Sequence, residues 1–260
     1  MQKEEIKFKD SLVFEGMTSV RAIIKSIDMC ISDRRIEKIL FDSAKLKKIS
    51  KEIGYLKAVS EKYKFEIEAV TSEELEGITL GNSHGGIVAL TTPRTLPCLS
   101  HDSDIFQNGF YVMIEGIEDP YNFGYSLRSL YAMGASGIIL PERNWMSAAG
   151  VVARSSAGAS ELFVTYRAEP EKCIDIFKSR GYQVVLAHED TDEVLGECEL
   201  KLPILLIVGG EKRGISSSVV KKADRLVRIN YAREFRASLS AASATTMFSY
   251  EIMRQNKIKE

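Results

Sequence analysis

Residues 204–208 read ILLIV, five apolar side chains with no polar break, and the run ends in Gly209-Gly210. A strand with one face in water alternates apolar and polar residues, whereas an unbroken run is covered on both faces. The run is far too short to cross a bilayer as a helix. A second run of the same kind, QVVLA, occupies 183–187. Strands of this type belong to parallel sheets whose connecting helices pack above and below. The flanking sequence supplies both parts: 110–117, 137–140, 162–165 and 226–229 read as strands, and 125–133, 148–157, 170–179, 216–222 and 239–253 as helices. Pro170 suits the first turn of its helix. This alternation predicts an α/β domain built on a parallel sheet over residues 105–260.

The first part of the chain reads as a smaller α/β unit, residues 1–96. Residues 19–31 have apolar side chains at helical spacing, and KILFD at 38–42 is a short strand. KISKEIGYLKAVSEKYK at 48–64 is amphipathic, FEIEAV at 65–70 is a strand, and GNSHGGIVAL at 81–90 gives a glycine-rich turn and another strand. TTPRTLPCLSHDSD at 91–104, with Pro93 and Pro97 among small polar residues, predicts a linker over 97–104.

Composition excludes several classes. The net charge is −1, from 35 basic and 36 acidic residues, so a nucleic-acid ligand would be gripped by a local patch and not by a general basic excess. The opening MQKEEIKFKD places acids where a signal peptide has its apolar core, so secretion is not expected, and no apolar run long enough for a membrane span occurs. Cys30, Cys98, Cys173 and Cys198 are widely spaced and form no CxxC pair. No metal site is therefore expected, and isolated thiols fit a cytoplasmic protein.

Three glycine-containing or serine-containing loops follow strands, where α/β folds bind ligands. In EDPYNFGYSLRSLYAMGA (118–135), Asp119-Pro120 sets a turn, Asn122 can orient backbone groups and Gly124 permits close approach. Arg128, four residues after Gly124, falls one turn into the following helix and can point back over the loop. A capped turn with an exposed arginine explains this spacing equally well. In LLIVGGEKRGIS (205–216), no Lys-Ser or Lys-Thr follows the last glycine, so it is not a P-loop. Glu211 would repel a phosphate and suits a neutral or cationic ligand, although a tight strand-to-helix turn also uses such glycines. In REFRASLSAASATTMFSYEIM (233–253), Ser238, Ser240 and Ser243 precede or begin a long helix, and one of them caps it.

Taken together, N-x-G-x-x-x-R, G-x-E-x-x-G and S-L followed by small residues occur in one order, and they resemble the three motifs of the SpoU (TrmH-like) RNA ribose methyltransferases of the SPOUT superfamily. VFEGMTSVRAIIKS and NSHGGIVAL resemble the start and end of that family's N-terminal domain, and SSAGAS at 155–160 resembles another of its recurring segments. The resemblance implies a C-terminal parallel-sheet domain with a deep trefoil knot and a small N-terminal α/β RNA/substrate-binding domain. It implies a homodimer that transfers a methyl group from S-adenosylmethionine to a ribose 2′-hydroxyl of rRNA or tRNA. By position in the motifs, Gly209, Gly210, Ile229, Ser238, Leu239 and Ser240 would surround the cofactor, and Asn122, Arg128 and Glu211 would serve catalysis. An arginine stays protonated at any ordinary pH, so Arg128 is assigned to gripping the RNA phosphate and the developing alkoxide.

Candidate RNA contacts are Arg34, Arg35, Lys45, Lys47, Lys48, His84 and Arg154, together with Arg143. The solvated face of a helix is the plainer reading of the lysine run, and a turn residue that of His84. Two positions depart from the family pattern. Ser240 stands where the third motif carries asparagine, and Asn230 where the preceding strand ends in proline. These departures keep open an alternative reading, a relative that binds RNA without methylating it.

Overall fold

The computed structural model describes residues 12–80, 84–117, 119–141, 148–210, 214–235 and 237–258. Along the chain come β1 (Leu12–Glu15), α1 (Gly16–Asp28), β2 (Ile36–Asp42), α2 (Ser50–Tyr63), β3 (Glu66–Val70), α3 (Ser72–Ile78) and β4 (Ile87–Thr91). Then follow β5 (Phe110–Glu115), α4 (Pro120–Ala132), β6 (Gly137–Leu140), α5 (Ala149–Ser155), β7 (Val164–Arg167), α6 (Pro170–Ser179) and β8 (Gln183–Ala187). The chain closes with β9 (Ile204–Gly209), α7 (Ser217–Lys222), β10 (Arg225–Val227) and α8 (Ala241–Asn256). These elements form two compact units. One takes the described residues of 1–95 and 145–162, the other those of 96–144 and 163–260.

In the second unit the apolar runs lie where their composition requires. The six-stranded sheet has the order β10-β8-β9-β5-β6-β7, and every pairing in it is parallel. Ile204 to Val208 are all buried at its centre beside Phe110 to Ile114. One face is covered by α6 and α7, with Ile174, Phe177 and Val219 against Met113, Leu186 and Ile207. On that face Tyr111, Phe177 and Tyr182 pack edge to face or tilted, with ring centroids 4.9–5.9 Å apart. The other face carries α8, which packs on β9 and on α4.

Local chemistry moves several boundaries. Asp119 caps α4, its carboxylate accepting from the Tyr121 N–H (3.0 Å) and the Asn122 N–H (3.3 Å), with Pro120 at the first helical position. The helix therefore begins five residues before the expected 125, and Asn122 and Gly124 belong to it and not to a loop. The expected linker is not free either. The Leu99 N–H donates to the Arg167 carbonyl (2.8 Å), and the Arg167 N–H to the Pro97 carbonyl (2.9 Å). Leu96, Leu99 and Ile105 are buried, and residues 97–99 run as an added strip along β7.

The first unit is a four-stranded sheet of order β1-β4-β2-β3, antiparallel except for β2 with β3. Phe14, Ile23, Ile39 and Leu56 form the core on one face, and Leu75 of α3 meets Leu40, Val88 and Leu90 on the other. The segment 148–162 was expected within the 105–260 domain, yet it is built into this unit. Its small residues explain why. A Cβ on Gly150 would lie 1.9 Å from the Val13 carbonyl oxygen, and one on Gly158 2.5 Å from the Ala22 Cβ.

The same segment brings Glu161 to Arg34. The Arg34 guanidinium is almost fully buried, with Nε 3.0 Å from Glu161 Oε2, Nη1 2.8 Å from the Thr92 carbonyl, and its centre 4.6 Å from the Phe14 ring centroid. Breaking a buried pair leaves a charge without its partner, whereas replacing both members by apolar residues does not. Glu161→Leu is therefore expected to lower stability by about 3–5 kcal/mol. Arg34→Met added to Glu161→Leu is expected to recover more than half of that loss. The midpoint of urea unfolding measures both.

Candidate functional site

At the carboxyl ends of β8, β9 and β10 lies a cavity of about 830 Å³, within the range of small-molecule and cofactor sites. Its walls come from Ala187, His188 and Glu189 after β8, from Val208, Gly209, Gly210, Gly214 and Ile215 around the turn after β9, and from Val227 to Tyr231 after β10. The loop before α8 adds Arg233, Phe235, Ala237, Ser238 and Leu239, and α8 itself presents Ala241, Ala244 and Phe248.

Two glycines make this turn possible. A Cβ on Gly210 would come within 2.0 Å of the Gly116 carbonyl oxygen, and a Cβ on Gly209 within 2.8 Å of both the Gly214 carbonyl carbon and Ile215 Cγ1. The Gly214 N–H closes the turn on the Gly210 carbonyl at 3.0 Å, and Gly214 takes a φ of +60°, a region that disfavours other residues. These glycines let backbone lie against backbone at the strand end. Glu115, the β5 residue in register with Gly209, lies beside this turn. Burial holds its carboxyl above the usual carboxylate range, and its Oε2 is buried with no hydrogen-bond partner among the described residues.

Between β10 and α8 the chain is pinned at both ends. The Leu239 N–H donates to the Tyr231 hydroxyl (3.1 Å), and Arg228 Nη1 donates to the Asn230 side-chain oxygen (3.1 Å). Asn230, where the family pattern has proline, is thus fixed by a side-chain bond. Ser240 is the cap of α8, its Oγ accepting from the Ser243 N–H at 3.2 Å. Serine and asparagine are about equally good at this position.

Five of the six residues expected around a cofactor line this cavity: Gly209, Gly210, Ile229, Ser238 and Leu239. Ser240 does not, because its hydroxyl is turned to the helix cap. Asn122 and Arg128 lie on α4 and are not part of the cavity wall. Arg128 is exposed and its side chain hydrogen-bonds nothing among the described residues, while its neighbour Ser129 is tied to Thr246 of α8 at 2.7 Å. Glu211 and Arg143 lie outside the described residues.

Of the expected RNA contacts, two are corrected. Arg34 is 1% exposed in its ion pair, and His84 is 2% exposed with Nδ1 accepting from the Gly86 N–H. Their polar atoms serve the fold of the first unit, as a core clamp and a turn. Arg154 is bound to Glu15 at 2.6 Å, and Lys45 to Asp42 at 3.3 Å. Arg35, Lys47 and Lys48 are exposed.

His188, which belongs to none of the three motifs, also lines the cavity. Its Nδ1 accepts from the Asp190 N–H at 3.1 Å, so in the neutral ring the proton sits on Nε2, a donor. The signal was available, since His188 follows 183–187 just as Gly209-Gly210 end 204–208. Among the described residues no group of three or more His, Cys, Asp or Glu side chains is arranged to hold a metal, and no helix is long and apolar enough to cross a membrane.

The sequence pattern of the SpoU rRNA Methylase family matches residues 109–250. The chain is similar to a Staphylococcus saprophyticus protein assigned to the TrmH family of tRNA/rRNA methyltransferases, 25% identical over 253 residues that cover 95% of this chain and 96% of the relative. Its fold is similar to that of the AdoMet-bound rRNA methyltransferase from Sinorhizobium meliloti, with a TM-score of 0.77, 24% identity and coverage of 95% and 88% of the two chains. It is also similar to the SpoU methyltransferase AviRb of Streptomyces viridochromogenes in complex with AdoMet, with a TM-score of 0.76, 22% identity and coverage of 95% and 91%.

Glu115 gives this region a pH signature. The folded chain holds the Glu115 proton to a higher pH than the unfolded chain does. The stability gained from that is present below the ordinary glutamate pKa and is lost as pH rises through the raised folded value. Glu115→Gln is permanently neutral. It is expected to raise the urea midpoint above that of the parent chain at neutral pH, and to leave it nearly unchanged at about pH 4.

Proposed function

The chain belongs to the SpoU rRNA methylase family, and on that premise we propose that it transfers a methyl group from S-adenosylmethionine to a ribose 2′-hydroxyl of structured RNA, rRNA or tRNA. The observation that carries this reading is the cavity, where Gly209 and Gly210 of the second motif meet Ser238 and Leu239 of the third. Its chemistry fits an adenosyl sulfonium ligand. Val208, Ile215, Val227, Leu239 and Phe248 offer apolar walls to the purine, and the glycine turn brings peptide groups close. The Nε2–H of His188 can donate to a hydroxyl or carboxylate oxygen.

When bound, S-adenosylmethionine supplies a methyl group on a positively charged sulfur. The chain has to place the 2′-oxygen in line with that bond, so that the O–C bond forms as the S–C bond breaks. Alignment of this kind is worth up to about 7–11 kcal/mol of barrier. Arg128, exposed and unengaged among the described residues, grips the phosphate next to the target ribose and stabilises the alkoxide. A relay in which the guanidinium takes the hydroxyl proton while passing one to the phosphate keeps it charged throughout. Asn122, in the first turn of the same helix, orients the ribose. A carboxylate at Glu211, the acid of the second motif, suits a ligand that carries a sulfonium charge.

Arg35, Lys47 and Lys48 are the exposed cations that grip the rest of the RNA. In this reading the chain works in the cytoplasm as a homodimer and carries the trefoil knot its family implies. Exposed Tyr121 and Tyr125 on α4 with Met247 and Tyr250 on α8 supply an apolar face for the pair. One observation favours the alternative, an RNA-binding relative without transferase activity: Asn122, Arg128 and Ser240 all lie outside the cavity wall.

Calorimetric titration with S-adenosylmethionine and S-adenosylhomocysteine is expected to show micromolar binding. Gly209→Val should abolish it, because the new side chain collides with Gly214 and Ile215 of its own turn. With radiolabelled donor and unmodified bacterial rRNA and tRNA transcripts, Arg128→Ala is expected to cut methyl transfer by about 10²-fold or more while cofactor affinity stays within about twofold. RNA binding with no transfer by the parent chain would establish the alternative, and binding of neither cofactor nor RNA would overturn both.

A further inference from the structure

The loop between β10 and α8 carries more aromatic surface than a connection needs. Residues 231–235 and 237–238 are all exposed, and among them Phe235 is 58% and Tyr231 38% exposed. The two rings meet edge to face with centroids 6.1 Å apart, and the Tyr231 hydroxyl is occupied by the Leu239 N–H, which fixes that ring in place. Both rings belong to the mouth of the cavity. The depth of the cavity is already apolar, since Val208, Val227 and Phe248 are each no more than 2% exposed. The pair at the mouth is therefore spare for holding a ligand inside, and it faces whatever approaches from solvent. Arg233 is exposed between the two rings in sequence and has no ion-pair partner among the described residues. The side chain of Arg228, on the same stretch, engages only Asn230 among them.

Exposed aromatic rings flanked by arginine are how proteins hold unpaired bases. Every base has a face to stack, and the adjoining phosphate takes the charge. We infer that Phe235, steadied by Tyr231, stacks on an unpaired base at or next to the nucleotide whose ribose receives the methyl group, with Arg233 on the adjoining phosphate. The inference rests on the methyl-transfer reading and adds to it a requirement on the substrate: the target nucleotide lies in a loop, bulge or single strand. A base paired and stacked within a helix offers no free face. Phe235 is on this account a positioning residue for RNA.

The test uses the full chain, saturating S-adenosylhomocysteine and a single-stranded oligoribonucleotide containing 2-aminopurine, whose fluorescence falls when it stacks. The expected result is quenching by the parent chain and by Phe235→Trp. Phe235→Ala should lose the quenching and bind the oligonucleotide about tenfold more weakly. The urea midpoint of Phe235→Ala should match that of the parent chain, which shows that the variant is folded, and its loss of oligonucleotide affinity should exceed any loss of S-adenosylhomocysteine affinity. Equal loss of cofactor and oligonucleotide binding would assign the ring to the cofactor's purine and overturn the inference. Unchanged quenching in Phe235→Ala would overturn it while leaving the methyl-transfer reading intact. Failure of the parent chain to bind the cofactor at all would overturn that reading and this inference together.

Discussion

Everything at the ligand end of the second unit depends on how closely backbone can approach backbone where β9 stops. Gly210 lies where a Cβ would stand 2.0 Å from the Gly116 carbonyl oxygen, and Gly209 where one would stand 2.8 Å from Gly214. Any side chain at either position would push the ends of β5 and β9 apart or open the turn. The cavity wall made by Val208 to Gly210 and Gly214 to Ile215 would then be lost. A carboxyl at Glu115, beside that contact and short of a partner for one oxygen, is a cost the fold carries at its functional end. Such a cost is common at sites tuned for ligands, where local rules yield to chemistry.

How much of this was legible follows from which forces act locally. The apolar runs at 184–187 and 204–208 dictated a sheet covered on both faces, and parallel pairing with helices on either side is what formed. Cap chemistry was legible in kind and less so in position. Asp119-Pro120 signalled a turn, and the same two residues start α4, which drew Asn122 and Gly124 into the helix. One serine ahead of α8 had to cap it. That Ser240 would do so, and thereby leave the cavity wall, depends on a hydroxyl orientation that a motif does not encode.

Long-range pairings were not legible. Arg34 and Glu161 stand 127 residues apart in sequence, yet they form one buried pair. Arg34 in isolation is an arginine in a polar stretch, and exposure is the ordinary expectation for it. The partner decides otherwise. Glu161 reaches it only because Gly150 and Gly158 let the segment 148–162 settle onto β1 and α1 with almost no space between. Pro97 failed as a linker signal for a related reason. Proline lacks a donor but keeps its carbonyl, and that carbonyl accepts from Arg167 at the edge of the sheet.

The charge balance can be read in the same terms. A count of 35 basic against 36 acidic residues argues against a surface that holds RNA by charge alone, but it sums groups in unequal situations. Arg34 is sealed in the core, and Arg154, Lys38, Lys62 and Arg225 are engaged by carboxylates at 2.6–2.8 Å or closer. The cations left for a polyanion, Arg35, Lys47, Lys48, Arg128 and Arg233 among them, belong to a chain with no basic excess. Phosphate contacts position an RNA and give no choice of sequence. A chain so constituted must gain its grip on RNA from contacts that do not scale with charge. Stacking is such a contact, and the exposed rings of Tyr231 and Phe235 beside the cavity are where this chain can provide it.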